Sequence, residues 1–129
     1  MAIQIVWDNP EQTVIREVFD ARWTWDDFDA AKTQIDSLIQ GVPHLVGLIF
    51  DLPANVFFPR NALTHGKKFV DTLHPQIYLL VLASSNTLLR ALFDMFKKVY
   101  PLAAKRVRWL ATVDDAREFL AQTYPHDGG

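Results

Sequence analysis

The chain of 129 residues contains no cysteine. That excludes disulfides, zinc–thiolate centres and thiol catalysis together, and it fits a cytoplasmic protein. An excess of either charge is also lacking. The formal net charge is −2, which gives no surplus of cations to neutralise a phosphate backbone, so no nucleic-acid partner is expected. No apolar run reaches the roughly 20 residues that a membrane-spanning helix requires. The opening Met1-Ala2-Ile3-Gln4-Ile5-Val6-Trp7-Asp8 has no basic segment followed by an apolar one, so no signal peptide is expected there. The strings H-E-x-x-H, G-x-S-x-G and G-x-G-x-x-G are missing, as is a P-loop.

What is there is an ordinary globular composition, half hydrophobic and 22% charged. The length suits one domain over residues 1–129, with a core at about 3–122 and a frayed tail at 125–129. Alternating apolar residues predict a strand over Ile3–Trp7 and a second within Thr13–Trp23, joined across the turn cluster Asp8–Gln12. Thr24, with Asp27 three residues on, has the form of a capping box. The stripe Phe28, Ala31, Ile35, Leu38 and Ile39 then predicts a helix that Gly41 stops. Leu45–Phe50 and Gln76–Ala83 are continuous apolar runs, as strands covered on both faces would be. Helices are predicted after each. Pro59 is expected in the first turn of one, and Thr87 opens the other. Arg106–Ala111 predicts a fifth strand, and Thr112 with Asp115 caps a last helix. The order β-β-α-β-α-β-α-β-α implies an α/β domain. Its sheet is mostly parallel with an antiparallel N-terminal hairpin at one edge, and the helices pack on it.

Function is expected where the strand at Leu45–Phe50 empties into its loop, because ligands of open α/β sheets sit at carboxyl ends of strands. Between Asp51 and Leu63 that loop has no Ser, Thr, Cys, His, Lys or Gly. Asp51 reads as a structural acid that accepts from loop amides. Val56-Phe57-Phe58-Pro59 puts three large apolar side chains in a row, which either fold back over the sheet edge or face a partner. His65 and His74 are nine apart, ~900° of helical turn, and so lie on opposite faces. No catalytic or metal role is expected for them or for His44. Ser84-Ser85-Asn86 stands at a helix N-terminus, where it reads as a cap or as an anion site. The third helix is apolar beyond one stripe. Leu88, Leu92, Met95 and Val99 share a face expected to dock on the sheet. Leu89, Phe93, Phe96 and Tyr100 share a neighbouring face, expected to cover a loop, a second copy or an apolar ligand.

Three strings, W-T-W-D-D-F at 23–28, L-I-F-D-L at 48–52 and A-T-V-D-D-A-R-E-F-L at 111–120, resemble the STAS domain of bacterial anti-sigma-factor antagonists. The chain looks closer to the looser branch that neighbours the SEC14-like lipid binders. In the antagonists the strand runs into a loop similar to D-L-S-G-V-x-F-x-D-S-S-G-L, whose serine is phosphorylated. Here Asp51 and Leu52 match its start, Phe57 its aromatic and Leu63 its final leucine. Pro59 replaces the aspartate, Arg60 and Asn61 replace the serines, and Ala62 replaces the glycine. A hydroxyl is required for phosphorylation, so the resemblance implies a regulatory module without that switch.

The expectation is therefore a cytoplasmic, non-enzymatic interaction module with no cofactor. Its partner would be protein, in the most specific form a second copy making a homodimer. It would meet that partner through Val56–Pro59 and the outer face of the third helix. The alternative is a binder or carrier of a small apolar or lipid-like ligand, with Phe57, Phe58, Phe93, Phe96 and Tyr100 lining the site.

Overall fold

Side chains of β1 (Ile3–Trp7) and β2 (Val14–Phe19) alternate in burial, and the two strands pair antiparallel from Ile3 opposite Phe19 to Trp7 opposite Ile15. The computed structural model describes residues 2–125, so the tail at 126–129 lies outside the described residues. After β2 come α1 (Trp25–Gln40), β3 (Val46–Asp51), α2 (Ala62–Asp71), β4 (Ile77–Ala83), α3 (Thr87–Val99), a four-residue α4 (Pro101–Ala104), β5 (Val107–Leu110) and α5 (Val113–Thr123). The sheet runs β1-β2-β3-β4-β5, and every pair after the first is parallel. No helix among the described residues is long and apolar enough to cross a membrane.

Local chemistry sets most of these boundaries. Thr24 and Asp27 close the expected capping box, with Asp27 N donating to Thr24 Oγ1 at 3.1 Å and Thr24 N to Asp27 Oδ2 at 2.9 Å. Gly41 caps the far end of α1, and Thr112 accepts from Asp115 N at 3.0 Å to start α5. Three boundaries differ from the sequence pattern. β2 stops at Phe19, and its apolar successor Trp23 is buried from a turn instead. α2 starts at Ala62, past Pro59, because Asn61 adopts a left-handed backbone (φ 65°) that no helix continues through. The chain after Pro101 coils once more before β5.

Strands in sequential order with crossovers of one hand place successive helices on one face of the sheet. The core follows that rule. Ile15, Phe19, Leu48, Phe50, Leu80 and Val107 pack with buried residues of α1, α2 and α3. On the reverse face Val14, Ile49, Leu79, Val81 and Ala83 pack with Ala116 and Leu120 of α5. α5 lies close because β3 offers Gly47, where a Cβ would stand 2.9 Å from Leu120 Cδ2.

Ion pairs tie this second face together. Arg16 on β2 bonds Asp8 at 2.9 Å and Asp51 at 2.9 Å. Arg117 on α5 bonds Asp8 at 2.8 Å and Asp114 at 2.9 Å. Burial raises the Asp8 carboxyl, but hydrogen bonds and charge from Arg117 and Arg16 outweigh it and leave it below the usual carboxylate range. Asp51 is thus a structural acid whose partner is a guanidinium, not the loop amides expected.

Glu17 is the counterexample on the first face. It alternates with Ile15 and Phe19, lies between Ile5 and Phe50 across the ladder, and is fully buried. Neither carboxyl oxygen has a hydrogen-bond partner. Burial pushes its pKa well above the ordinary value, so the acid is held neutral.

Two opposite pH dependences result. The folded state binds the Glu17 proton more tightly than the unfolded chain. Its contribution is present below the unfolded pKa and is lost as pH rises toward the folded value. Asp8 behaves in reverse, and its contribution is lost as pH falls through its depressed pKa. Glu17→Leu should stabilise the protein by about 1–3 kcal/mol near neutral pH and flatten the alkaline slope. Asp8→Asn should cost about 1.5–3 kcal/mol at neutral pH and flatten the acid slope. Urea unfolding from acid to mildly alkaline pH checks both. An unchanged alkaline slope in Glu17→Leu would contradict the neutral-acid assignment.

Candidate functional site

Aromatic side chains gather at the carboxyl ends of β2 and β3, under α1 and α2. Phe19 meets Trp23 edge-on at 5.2 Å, Phe28 meets Phe69 at 4.9 Å, and Phe50 meets Phe69 at 5.3 Å. Rings of this size do not fill the space between three helices and a sheet. A cavity of about 100 Å³ remains, partly open to solvent. Phe19, Phe50, Leu80 and Leu82 form its floor, and Phe69 with Gly66 forms one wall. α3 supplies the opposite wall through Leu89, Phe93 and Phe96. Every lining residue is apolar.

The loop after β3 closes the rim, and it divides the apolar row expected there. Val56 is buried, and Phe58 is half-buried against Trp23 at 5.3 Å. Phe57 points outward, more than half exposed, with the Arg22 guanidinium 5.1 Å from its ring. Hydrogen bonds from several elements hold the loop. Phe57 N donates to Ala21 O at 2.7 Å, Asn86 Nδ2 to Ala54 O at 2.8 Å, and Trp25 Nε1 to Arg60 O at 2.7 Å. Arg60 and Asn61 themselves are exposed, and Pro59 is half-buried.

Trp25, not singled out in the sequence for this role, is the latch. It also lines the cavity and stacks flat on His65 with centroids 4.0 Å apart and planes 6° apart. The signal in the sequence was its place in W-T-W, one residue past a cap, where a large ring begins the helix. His44 Nε2 lies 2.7 Å from Gln12 O, and His74 Nδ1 accepts from Gln76 N at 3.1 Å, so each histidine has a structural partner. Among the described residues no three acidic or histidine side chains converge as a metal site would need.

Ser84 is buried and its Oγ accepts from Asn86 N at 3.0 Å, while Asn86 Oδ1 caps α3 through Leu89 N at 2.8 Å. Ser85 is exposed. Ser84 and Asn86 thus take part in local capping contacts at the start of α3.

α3 reverses the expected faces. Leu89, Phe93 and Phe96 dock on the core, and Tyr100 packs against it half-buried. Leu88, Met95 and Val99, expected to dock, are each more than half exposed, as is Leu102 on α4. Leu92 is half-buried at the boundary. Asn86 caps the start of α3, and the Phe93–Phe96 side faces inward, where Phe93 meets Trp109 and both rings line the cavity.

Compared with protein-family models, curated proteins and solved structures, the chain matches none.

The latch is open to test. Trp25→Phe keeps a ring and removes the bond to Arg60 O, a loss of about 1 kcal/mol. Opening of the loop should rise about fivefold. Limited trypsin cleavage after Arg60 should accelerate by that factor, and an unchanged rate would show that the bond does not hold the loop.

Proposed function

We propose that the protein is a non-enzymatic, STAS-like interaction module that pairs with a second copy of itself through the outer face of α3. The row Leu88, Leu92, Met95 and Val99 carries this reading, because three of the four are exposed beyond half on a well-capped helix. Their 4-3-4 spacing is that of alternating d and a positions in a helix pair. Laid antiparallel on its twin, Leu88 stands opposite Val99 of the second copy, and Leu92 opposite Met95. The arrangement is self-complementary about a two-fold axis, as an isologous interface must be. Leu102 and Phe57 are further exposed apolar side chains.

The size of the face sets the strength. α3 has 13 residues, about 20 Å of helix, and buries less than the roughly 800 Å² per partner of a standard interface. Association at micromolar concentration is therefore the expected regime. The absence of a hydroxyl at Arg60 and Asn61 supports a module without the phosphorylation switch of the STAS antagonists. The cysteine-free composition supports a cytoplasmic location. The β-β-α-β-α-β-α-β-α order is consistent with the STAS resemblance.

Sedimentation velocity from about 5 to about 200 µM should show a concentration-dependent dimer. Met95→Glu would place an unpaired charge against Leu92 of the second copy, costing about 3 kcal/mol, or roughly a hundredfold in affinity. It should leave a folded monomer. Phe96→Glu should instead unfold the domain, because Phe96 is buried. A wild-type chain that stays monomeric throughout that range would contradict the proposal.

A further inference from the structure

The two edges of the sheet are finished differently. At β5 the backbone groups of Val107 and Trp109 face outward, because Leu80 N and Ser84 N take the carbonyls of Arg106 and Leu110. Arg108 covers part of that edge, its guanidinium donating to Lys105 O at 2.9 Å and to Val107 O at 3.0 Å. β1 has no such cover. Asp20 N donates to Ala2 O and Asp8 N to Val14 O, both at 2.8 Å, so the even-numbered residues of β1 bond β2. The N–H and C=O groups of Ile3, Ile5 and Trp7 therefore point to the open side, and among the described residues no side chain or loop bonds them. Ile3–Trp7 also has no Pro, no Lys and no bulge, the usual guards of an exposed edge.

Beside this edge α1 leaves a hollow of about 110 Å³, lined by Ala2, Ile3, Asp27, Ala30, Ala31 and Gln34. One water needs only ~10–15 Å³ of such space, so a whole side chain fits. The surroundings are acidic. Asp27 lines the hollow, and Asp20 stands beside Ala2 through the backbone bond. Among the described residues neither carboxylate has a cationic partner.

We propose that the β1 edge is a docking site for an extended, basic segment of another protein, which joins the sheet as a sixth strand. Ile3, Ile5 and Trp7 supply its main-chain hydrogen bonds, and the hollow takes one of its apolar side chains. A neighbouring Lys or Arg meets Asp20 and Asp27. A second copy of this chain does not fit. α1 packs over β1 more closely than over any other strand. Two β1 strands paired edge to edge lie ~4.8 Å apart, whereas the helices above them need ~8–10 Å. A bare strand brings no helix and meets no such clash. The site is separate from the outer face of α3 and does not depend on pairing there.

The capped peptide Lys-Val-Thr-Val-Thr-Val-Lys serves as probe, titrated into the full chain and followed by amide chemical shifts. It should bind saturably with a Kd below about 1 mM, and shift β1 and the first half of α1. The same peptide with Glu in place of Lys should bind at least about tenfold more weakly. A strand bonds its neighbour through alternate residues. N-methylation of one set, the valines or the threonines, should therefore abolish binding, while methylation of the other set spares it. Ala30→Arg changes an exposed residue of α1, fills the hollow with a like charge and should weaken binding about tenfold in a folded domain. The proposal is overturned if the peptide does not saturate by about 2 mM, or if its shifts map elsewhere. It is equally overturned if the two N-methylated peptides bind alike, or if the Glu peptide or Ala30→Arg binds as the unaltered pair does. Sedimentation reads the pairing of α3 separately, so failure here leaves that reading standing.

Discussion

The direction in which the chain winds governs the rest of the molecule. β2, β3, β4 and β5 lie side by side in chain order, so α1, α2 and α3 fall on one face and only α5 remains for the other. The two faces are consequently held differently. α5 is one helix over the reverse side, and it is fastened by a close approach at Gly47 and by the Asp8 ion pairs. The crowded face instead relies on aromatic bulk. It contains the cavity, the neutral Glu17 and the unpartnered Trp23 Nε1. Polar groups without partners on that side mark where packing has outweighed hydrogen bonding.

α3 is the element in which this arrangement meets function. A helix that covers a sheet needs one apolar stripe, and α3 has two. The inner stripe closes the cavity, and the outer one is left to solvent. Leu92 touches both, lining the cavity while lying at the edge of the exposed row. The same 13 residues thus supply one wall of the cavity and an apolar face left to solvent. Both surfaces share the apolar character of the loop after β3.

Much of this was legible in the residues. Capping chemistry at Thr24, Asn86 and Thr112, and the alternation of β1 and β2, gave the element order, because each is a local interaction with a local signature. The burial of Glu17 was not legible, because both sides of β2 carry apolar residues, Val14 and Val18 on one and Ile15 and Phe19 on the other. Nor were the faces of α3. Leu88, Leu92, Met95 and Val99 are as apolar as Leu89, Phe93 and Phe96, so periodicity finds two stripes and cannot rank them. Tertiary fit decides, through Trp109 on β5 and the space left by Phe69 on α2. Trp25 escaped notice for a similar reason, because its hydrogen bond reaches 35 residues along the chain to Arg60.

The orientation of α3 is the claim on which the pairing proposal rests, and the absence of cysteine makes it directly measurable. Single cysteines at positions 95 and 96 report adjacent sites, about 100° apart on the helix. Maleimide labelling of dilute native protein should be fast for Met95→Cys and slow for Phe96→Cys, and raising the concentration should protect Met95→Cys as copies pair. Fast labelling at position 96 with protection at position 95 in dilute protein would show the helix turned the other way. That result would contradict both the pairing face and the cavity wall.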